Sequence, residues 1–394
     1  MPGYELYGQD ERDAVAAWFA ANSGVMMAHG FDTIRRGIFK VREFERAVAE
    51  AVGASHAQAV SSGSAALFVA LRALGVGPGD EVITQAFTFV ATVEAILMAG
   101  ATPVITEVDR SLNMDPSDLE ARITPRTKAI IPVHMAGASA EMDAILRIAR
   151  THRIAVLEDA CQAFGGSYHG KTLGTLGDLG AYSFDFAKNI TTGEGGMVVT
   201  NDQRLYERAR AFHDHGHEYN PARRRGEDTR SLAGFNFRMT EIQAVLGLTQ
   251  LKKLPDILGR QRANQAAIRA GLADCGLEFR PLPDPTGDIG DTLIFFLEDE
   301  SQAAAFAARL AEQGLGTKNL PDALSWHFAG TWEHLFRDIP SLAQPQRRWP
   351  RTDALLRRAI ALPVNVRMSD EEIARVIDAV RIAAREVRPA GAGR

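Results

Sequence analysis

Short apolar runs rich in β-branched residues recur through the first two hundred residues, and segments with helical periodicity separate most of them. Apolar runs without polar alternation are typical of strands buried on both faces, and their alternation with helices predicts a mostly parallel sheet covered on both sides. The sequence therefore predicts an α/β domain whose functional groups lie at the carboxyl ends of the strands. The predicted strands are residues 57–60, 81–84, 103–106, 129–133, 154–157 and 197–200, and two of the intervening helices are residues 65–74 and 145–152.

The pattern changes after Arg238. Residues 240–254 predict a helix that ends where Pro255 follows, and we expect a domain border there. This gives a large domain at residues 1–254, with the amino-terminal segment, and a smaller carboxyl-terminal α/β domain at residues 255–394. The smaller domain has a predicted strand at 292–297, a helix at 303–313 and a last helix opened by a capping box of Ser369 and Glu372. We expect the tail, residues 388–394, to be disordered.

Charge and cysteine content exclude several classes of protein. A net charge of −5 over 394 residues gives no electrostatic reason to bind nucleic acid or an anionic membrane, and no apolar run reaches the ~18 residues of a membrane span. Two cysteines, Cys161 and Cys275, are too few for a disulfide framework or a cysteine-based metal site. We therefore expect a cytoplasmic protein with no nucleic-acid partner, no membrane partner and no metal.

One lysine stands out in the segment AYSFDFAKNITTGEGGMVVT. Lys188 lies among Phe184, Phe186 and Ile190, just ahead of a glycine-rich turn, in a chain where lysine is rare among the 44 basic residues. We expect these apolar neighbours to exclude water from the amine and so to favour the neutral form that attacks a carbonyl carbon. Considered alone, a structural lysine at a strand edge is the alternative.

Further groups at the same edge of the predicted sheet suit a cofactor with a pyridine ring and a phosphate. Asp159 follows a predicted strand, and a carboxylate there keeps a pyridine nitrogen protonated. Residues 61–66, SSGSAA, open a helix, so their amides and the Ser64 hydroxyl form a cradle for a phosphate, to which Ser183 adds a hydroxyl. Phe89 offers a flat face to a ring. Each group has a structural alternative: an ion pair or cap for Asp159, capping for the serines and core packing for Phe89.

A second phosphate motif is present but lacks its context. Residues 165–172, GGSYHGKT, match the P-loop pattern, but the chain continues as LGTLGDLGAYSF, without the helical period that a P-loop requires. We expect Gly170 and Lys171 to form a turn between two short strands. Phosphohydrolysis is the alternative that this motif leaves open.

Several segments together resemble the DegT/DnrJ/EryC1/StrS family, the sugar aminotransferases of aspartate-aminotransferase fold type I. The resemblance runs from about Tyr4 to Val387. It implies a pyridoxal 5′-phosphate-dependent transferase with a mostly parallel central sheet in its large domain. The segments that carry it are SGSAAL, GDEVITQAFTFVATVEAI, GATPVITEVD, ITPRTKAIIPVHMAG, EDACQAFGGSYHGKTLGTLGDLGAYSF, KNITTGEGGMVVTND, GFNFRMTEIQAVLGLTQL and ALPVNVRMSDEEI.

The resemblance also implies the role of each site residue. Lys188 would form the internal aldimine with pyridoxal 5′-phosphate, which becomes pyridoxamine 5′-phosphate in turnover, and would then carry the proton. Asp159 would pair with the pyridine nitrogen. The other implied contacts are Gln162 near the ring's polar substituents, Phe89 on its face, Ser64, Ala65 and Ser183 on the phosphate, and Asn236 on the phosphate bound by the partner subunit of a homodimer.

Departures from the family pattern bear on the reaction and the substrate. Ser64 replaces a usual threonine, and the run from Asp185 to Ala187 replaces the usual His/Phe-Pro-Thr. Lysine at position 188 argues against the branch that has histidine there and acts as a sugar dehydratase. A non-catalytic regulatory or binding protein on the same fold is the other alternative.

The substrate is less constrained than the reaction. The opening MPGYELYG and the HDHGH segment are similar to the branch that makes 8-amino-3,8-dideoxy-octulosonate. A nucleotide-linked keto-sugar, an aminocyclitol ketone or a ketone of a nucleoside antibiotic are alternatives, and the family implies glutamate as the amino donor. Residues 213–230, which include Arg223 to Arg225, predict either a loop over the site or a solvated surface loop. Trp326 and His327 are candidates to line the site.

Overall fold

The computed structural model describes residues 3–22 and 24–387. The strands in these residues are β1 (His56–Val60), β2 (Glu81–Gln85), β3 (Thr102–Thr106), β4 (Thr127–Ile131), β5 (Ala155–Asp159), β6 (Ser167–Tyr168), β7 (Lys171–Thr172), β8 (Leu179–Ser183), β9 (Gly196–Thr200), β10 (Glu278–Phe279), β11 (Thr292–Phe296) and β12 (Ala359–Pro363). The helices are α1 (Gln9–Asn22), α2 (Lys40–Val52), α3 (Gly63–Ala73), α4 (Ala91–Met98), α5 (Pro116–Ala121), α6 (Met142–His152), α7 (Gln203–Phe212), α8 (Glu241–Leu251), α9 (Leu254–Gly271), α10 (Glu300–Glu312), α11 (Leu324–His327), α12 (Glu333–Phe336), α13 (Pro350–Arg357) and α14 (Asp370–Val387).

Seven strands form the central sheet, in the order β1-β9-β8-β5-β4-β2-β3. Strands β3, β2, β4, β5 and β8 pair in parallel, and β9 runs antiparallel between β8 and β1. All six strands predicted for this region are present, within one to two residues at each end. Strand β8 was missed, because LGAYS has two small residues and follows a glycine-rich stretch that carries no strand pattern. The prediction of a mostly parallel α/β sheet is confirmed.

Consecutive apolar residues of the strands pack on opposite faces of this sheet. Val82 and Ile131 belong to the core that α3 and α4 cover, whereas their neighbours Ile83 and Ile130 belong to the core beneath α2, α6 and α8. Side chains alternate across a strand, so a strand that is covered on both sides needs apolar residues at successive positions. This is the physical reason for the uninterrupted apolar runs in the sequence.

The second sheet is antiparallel, in the order β10-β11-β12. It packs against α9, α10 and α14 through a separate core that includes Phe295, Phe306, Ile360 and Val380. The predicted capping box is present at the start of α14, where the Ser369 amide donates to Glu372 Oε2 at 2.9 Å and the Glu372 amide donates to Ser369 Oγ at 3.3 Å. The tail, residues 388–394, lies outside the described residues.

Pro255 starts a helix and does not end the preceding one, which stops three residues before the predicted end at residue 254. Helix α8 ends at Leu251, and Pro255 lies in the first turn of α9, where a missing backbone N–H costs nothing. Helix α9 joins the two cores, since Ile257 packs with the central sheet and Ile268 packs with the small sheet. The border between residues 254 and 255 stays a prediction.

The segment with the P-loop pattern is a hairpin. Ser167 pairs with Thr172 and Tyr168 with Lys171, and Gly170 takes the positive φ of +79° that the turn requires. The next regular element is strand β8, so the amides of a helix start are not available to a phosphate here. The predicted turn is confirmed. None of the helices among residues 3–22 and 24–387 is both long enough and apolar enough to cross a membrane.

Candidate active site

The carboxyl ends of β1, β2, β5 and β8 surround a cavity of about 330 Å³. Ser64 follows β1, Phe89 follows β2, Asp159 ends β5, Ser183 ends β8, and Lys188 lies five residues beyond β8. These five residues and Gln162 line the cavity together. Six of the eight predicted site residues thus meet at one place, and Ala65 and Asn236 do not line it.

Backbone contacts hold Lys188 in a short loop between β8 and β9. Its amide donates to the Asp185 carbonyl at 3.0 Å, and its carbonyl accepts from the Gly3 amide at 2.7 Å. The amino-terminal segment also bonds the next turn, because the Tyr7 hydroxyl donates to the Thr191 carbonyl at 2.8 Å. The lysine is half-buried and its side chain reaches the cavity.

The apolar neighbours expected to surround Lys188 point elsewhere. Phe184 is fully buried in the core and packs on Phe44, with ring centroids 5.1 Å apart. Phe186 is 58% exposed and stacks on Tyr4 at 4.6 Å, and Ile190 is buried in the same core as Phe184. The expectation that these three residues exclude water from the amine was therefore wrong. They anchor the loop on either side of the lysine.

Two donors fix the carboxylate of Asp159. Its Oδ2 accepts a hydrogen bond from Thr92 Oγ1 at 2.7 Å, and its Oδ1 accepts one from the Cys161 amide at 3.1 Å. Thr92 is held in turn by Thr88, with 2.7 Å between the hydroxyl oxygens. Asp159 is 4% exposed, so this carboxylate is a fixed, shielded negative charge at one end of the cavity.

Glu158 faces the opposite way. It is fully buried, and its carboxylate accepts from the Gly174, Leu176 and Gly177 amides at 2.8, 2.6 and 2.7 Å. His134 Nε2 lies 3.0 Å from Glu158 Oε2, while His134 Nδ1 accepts from the Ala140 amide at 3.1 Å. Glu158 is therefore a structural acid, and Asp159 is the one of these two neighbouring acids that lines the cavity.

The first turn of α3 presents amides to the cavity. Ser62 caps the helix: its Oγ accepts from the Ala65 amide at 3.0 Å, and its carbonyl accepts from the Ala66 amide at 3.0 Å. The amides of Gly63 and Ser64 belong to the same first turn, where an α-helix supplies no intrahelical acceptor. The Ala65 amide thus donates to the cap, and Gly63, which was not predicted, lines the cavity.

Gly63 also sets the spacing between α3 and β8. A Cβ at this position would lie 2.7 Å from Ser183 Cβ and 3.1 Å from Cys161 Sγ. Only glycine lets the helix start approach Ser183 this closely. The Ser64 and Ser183 side chains and the two amides then form one cradle for a phosphate.

Phe89 is held at the cavity by a segment from the other end of the chain. The Thr88 amide donates to the His327 carbonyl at 2.9 Å and the Val90 amide to the Trp326 carbonyl at 3.0 Å. The Phe89 and Trp326 rings are nearly parallel, at an interplanar angle of 13° and a centroid distance of 6.2 Å. Phe89 is 41% exposed, so one face of a ring is accessible from the cavity.

His327 lines the cavity as a hydrogen-bond acceptor. Its Nδ1 lies 2.8 Å from the Ala323 carbonyl, which can only accept, so the proton is on Nδ1 and Nε2 carries the lone pair. Burial lowers the pKa of His327 below its ordinary value, and the charge of Lys188 adds to this effect. The ring is therefore neutral at neutral pH.

Several residues that line the cavity or hold its groups were not predicted. Thr92, Gly63 and Glu194 are among them. Asp185, in the run that departs from the family pattern, also lines the cavity. Spacing offered a signal for Thr92, since Thr88 and Thr92 are one turn apart at the start of α4. No sequence signal marked Gly63 for its contact with Ser183, because that contact joins residues 120 positions apart.

Asn236 lies outside this cavity. Its side chain is exposed, and its Oδ1 accepts from the Arg238 amide at 3.3 Å. Within the preceding segment, residues 213–230, the shielded carboxylates of Asp214 and Asp228 accept hydrogen bonds from donors of the same segment. Residues 221–227, which include Arg223 to Arg225, are exposed, and a loop over the site stays a prediction.

Comparison with known proteins shows the family of this chain. The model of the DegT/DnrJ/EryC1/StrS aminotransferase family matches residues 27–381. The chain belongs to this family. It is 37% identical over 353 residues to the spore coat polysaccharide biosynthesis protein SpsC of Bacillus subtilis, covering 87% of this chain and 89% of the relative. It is 48% identical over 217 residues to the GDP-perosamine synthase of Caulobacter vibrioides, covering 55% of this chain and 57% of that protein.

A solved structure shares the whole fold. The X-ray structure of the aminotransferase from Psychrobacter cryohalolentis has a TM-score of 0.85 and 30% identity, with 97% of this chain and 98% of that chain covered. The chain is therefore a pyridoxal 5′-phosphate-dependent aminotransferase of fold type I. The expected fold, reaction class and cofactor are confirmed.

The residues of the cavity fit this cofactor. The cradle at the start of α3 offers amide and hydroxyl donors to a phosphate, and the fixed carboxylate of Asp159 is suited to a protonated ring nitrogen. Phe89 supplies a flat apolar face, and Lys188 an amine. Gln162 is oriented by its Oε1, which accepts from the Ala136 amide at 3.1 Å and leaves its amide nitrogen for a polar ring substituent.

Proposed function

We propose that this aminotransferase moves an amino group from glutamate to a keto or aldehyde carbon of a sugar-like or cyclic metabolite in the cytoplasm. The observation that carries the proposal is the convergence of Lys188, Asp159 and the α3 cradle on one cavity. The relatives support a carbohydrate acceptor, since one is a spore coat polysaccharide biosynthesis protein and another a GDP-perosamine synthase.

Each site residue then has a role in that reaction. The bound cofactor supplies an electron sink that stabilises a substrate carbanion. Lys188 attaches the cofactor through its amine and moves a proton at the reacting carbon, because no other side-chain amine lines the described cavity. Asp159, held by Thr92 and Cys161, keeps the ring nitrogen protonated. Phe89 fixes the plane of the ring, and the α3 cradle with Ser183 fixes the phosphate.

The cavity wall favours an acceptor that donates hydrogen bonds. Asp185 and Glu194 line the wall as carboxylates, and His327 presents the lone pair of Nε2. Such groups accept hydrogen bonds from hydroxyl donors. A ring with several hydroxyls near its carbonyl carbon supplies these donors, whereas an acyl chain does not.

The functional unit in this proposal is a homodimer. Asn236 is exposed and does not line its own cavity, and in the family resemblance it reaches the phosphate of the partner subunit. The adjacent Phe235 is 63% exposed, and Phe31 and Ile34 are 57% and 56% exposed. An apolar surface of this kind marks an interface more often than open solvent.

Two measurements test the proposal. The Lys188→Ala protein should lose the absorbance of the lysine-bound cofactor together with amine transfer, and a variant that keeps both would overturn the assignment. For the acceptor, the wild-type protein is loaded with pyridoxamine 5′-phosphate and screened against nucleotide-linked keto-sugars, cyclitol ketones and simple 2-oxo acids other than 2-oxoglutarate. We expect the absorbance of the lysine-bound cofactor to return only with hydroxylated cyclic ketones. Its return only with 2-oxo acids would contradict the proposal.

A further inference from the structure

A single buried carboxylate organises the segment that carries Asn236. Asp214 is fully buried and lies just after α7. Both of its oxygens accept from Arg225 Nη2 at 2.8 Å, and Oδ2 also accepts from the Tyr219 hydroxyl at 2.6 Å. Arg238 Nη1 donates to Oδ1, and His29 Nε2 lies 3.4 Å from Oδ2. Groups from three separate parts of the chain therefore meet at Asp214.

The charge of this cluster is fixed over the physiological pH range. Burial alone would raise the pKa of Asp214, but the hydrogen bonds from Tyr219 and Arg225 outweigh it and hold the pKa well below its ordinary value. Burial lowers the pKa of His29 to about 3, so that ring is neutral. One carboxylate thus faces two guanidinium groups, and the ion pairs persist at any pH at which the enzyme would be assayed.

Asp214 and Asn236 are direct partners in a backbone bridge. The His215 amide donates to the Phe235 carbonyl at 3.0 Å, and the Phe237 amide donates to the His213 carbonyl at 2.9 Å, which sets residue 214 opposite residue 236. Arg238 lies two residues after Asn236, on the same side of this antiparallel pair. The ion pair between Asp214 and Arg238 therefore closes over the bridge that bears Asn236.

We infer that Asp214 is a positioning residue for Asn236, acting through its ion pair with Arg238. The pair holds the backbone of residues 235–238, so that the exposed Asn236 amide projects from a rigid segment towards the cofactor phosphate of the partner subunit. A hydrogen bond across an interface gains affinity when the group that makes it is already ordered. The inference rests on the proposed function, because it requires Asn236 to act in the partner's site.

The chain offers a matched control in the same segment. Asp228 accepts from the Tyr219, Asn220 and Thr229 amides at 2.9, 3.1 and 2.9 Å, and His217 Nδ1 lies 3.2 Å from it. These contacts order residues 217–229 but do not include Arg238 or the bridge to Asn236. Replacing Asp228 therefore loosens the segment without removing the proposed positioning contact.

The test compares pyridoxal 5′-phosphate with pyridoxal, which lacks the phosphate. The dissociation constant of each compound is measured by absorbance on the cofactor-free protein. The proteins compared are the wild type and the Asn236→Ala, Asp214→Asn, Arg238→Met and Asp228→Asn variants. Light scattering checks that each protein is a dimer. The dissociation constant of pyridoxal 5′-phosphate should rise about tenfold in Asn236→Ala, in Asp214→Asn and in Arg238→Met, which is the effect of one lost hydrogen bond to a charged group. The dissociation constant of pyridoxal should stay the same in these variants. Asp228→Asn should change neither dissociation constant.

The other outcomes separate this inference from the proposed dimer. If Asn236→Ala leaves the preference for the phosphorylated cofactor intact, the contact in the partner's site is refuted and the inference falls with it. If Asn236→Ala reduces the preference but Asp214→Asn and Arg238→Met do not, the inference alone is refuted. The inference is refuted also if Asp228→Asn weakens the binding of pyridoxal 5′-phosphate as much as Asp214→Asn does. It is refuted, too, if the variants lose affinity only because their dimers dissociate. Should Asp214→Asn not fold, Arg238→Met decides by the same criteria.

Discussion

Gly63→Ala changes the closest contact of the phosphate cradle by a single methyl group. The added carbon would lie 2.7 Å from Ser183 Cβ and 3.1 Å from Cys161 Sγ, whereas carbon atoms in contact stand ~3.5–4.0 Å apart. Helix α3 and strand β8 must therefore separate by about 1 Å. Overpacking of this kind costs roughly 1–3 kcal/mol. The Ser62 cap is untouched, so the helix itself remains intact.

The same shift moves Ser183 away from the start of α3, and a phosphate can no longer bind both. Loss of one charge-assisted hydrogen bond weakens binding about tenfold, which removes about 1.4 kcal/mol of the stabilisation that saturating cofactor gives. Thermal melting with and without pyridoxal 5′-phosphate measures both effects, since each kcal/mol corresponds to roughly 1 °C in a chain of 394 residues. We expect a lower melting temperature for the apoprotein and a smaller increase on adding cofactor.

Gly259→Ala is the matched control. Gly259 lies within α9, and a Cβ there meets no atom within 4 Å. Alanine should stabilise the helix by roughly 0.5–1 kcal/mol and leave the increase on adding cofactor unchanged. A Gly63→Ala protein whose melting temperature rises on adding cofactor as much as that of the wild type would refute this prediction. An equal loss of that rise in both glycine variants would refute it as well.

Three other predictions follow from the same geometry. Burial raises the pKa of Asp288 from 3.8 to about 6, so its contribution to the free energy of unfolding is complete below pH 3.8 and is lost as the pH rises through 6. The free energy of unfolding should therefore fall by up to ~3 kcal/mol over this range. In Asp288→Asn this fall should be absent, as measured by urea unfolding at each pH. Mixed, refolded Lys188→Ala and Asn236→Ala subunits are assayed at a cofactor concentration below the dissociation constant of Asn236→Ala. The mixture should be more active than the two separate homodimers together, because one site of the heterodimer is intact, and no gain would contradict a shared site. Thr92→Val removes a hydrogen-bond donor to the Asp159 carboxylate, so the half-reaction with glutamate should slow about tenfold while cofactor affinity stays nearly unchanged. Stopped-flow absorbance measures the rate, and an unaltered rate would mean that Thr92 does not hold the carboxylate.

The sequence was a sufficient guide where the physical signal is local. Strands such as β2 and β4 are apolar at successive positions because both faces of the sheet are covered, and the capping box of Ser369 and Glu372 specifies the start of α14. Asp159 and the serine cradle of residues 61–66 follow predicted strands, and parallel strands bring their carboxyl ends to one edge. These features follow from periodicity and from helix-end chemistry alone.

Other features depend on contacts between distant residues and left no mark on the local pattern. The directions of Phe184 and Phe186 are set by Phe44 and Tyr4, and the aromatic surroundings expected for Lys188 were wrong for that reason. The use of the Ala65 amide by Ser62, and the close approach of Gly63 to Ser183, likewise appear only when α3 and β8 are side by side. The network around Asp214 joins residues 29, 219, 225 and 238, and no spacing rule connects them.

The most direct test of this account is to find which lysine carries the cofactor. The protein loaded with pyridoxal 5′-phosphate is reduced with borohydride, digested and mapped by mass spectrometry, which distinguishes the peptides that contain the chain's lysines. The account predicts the reduced cofactor on Lys188, and a loss of labelling in the Lys188→Ala variant. Labelling of Lys171 in the hairpin or of Lys318 in place of Lys188 would contradict it.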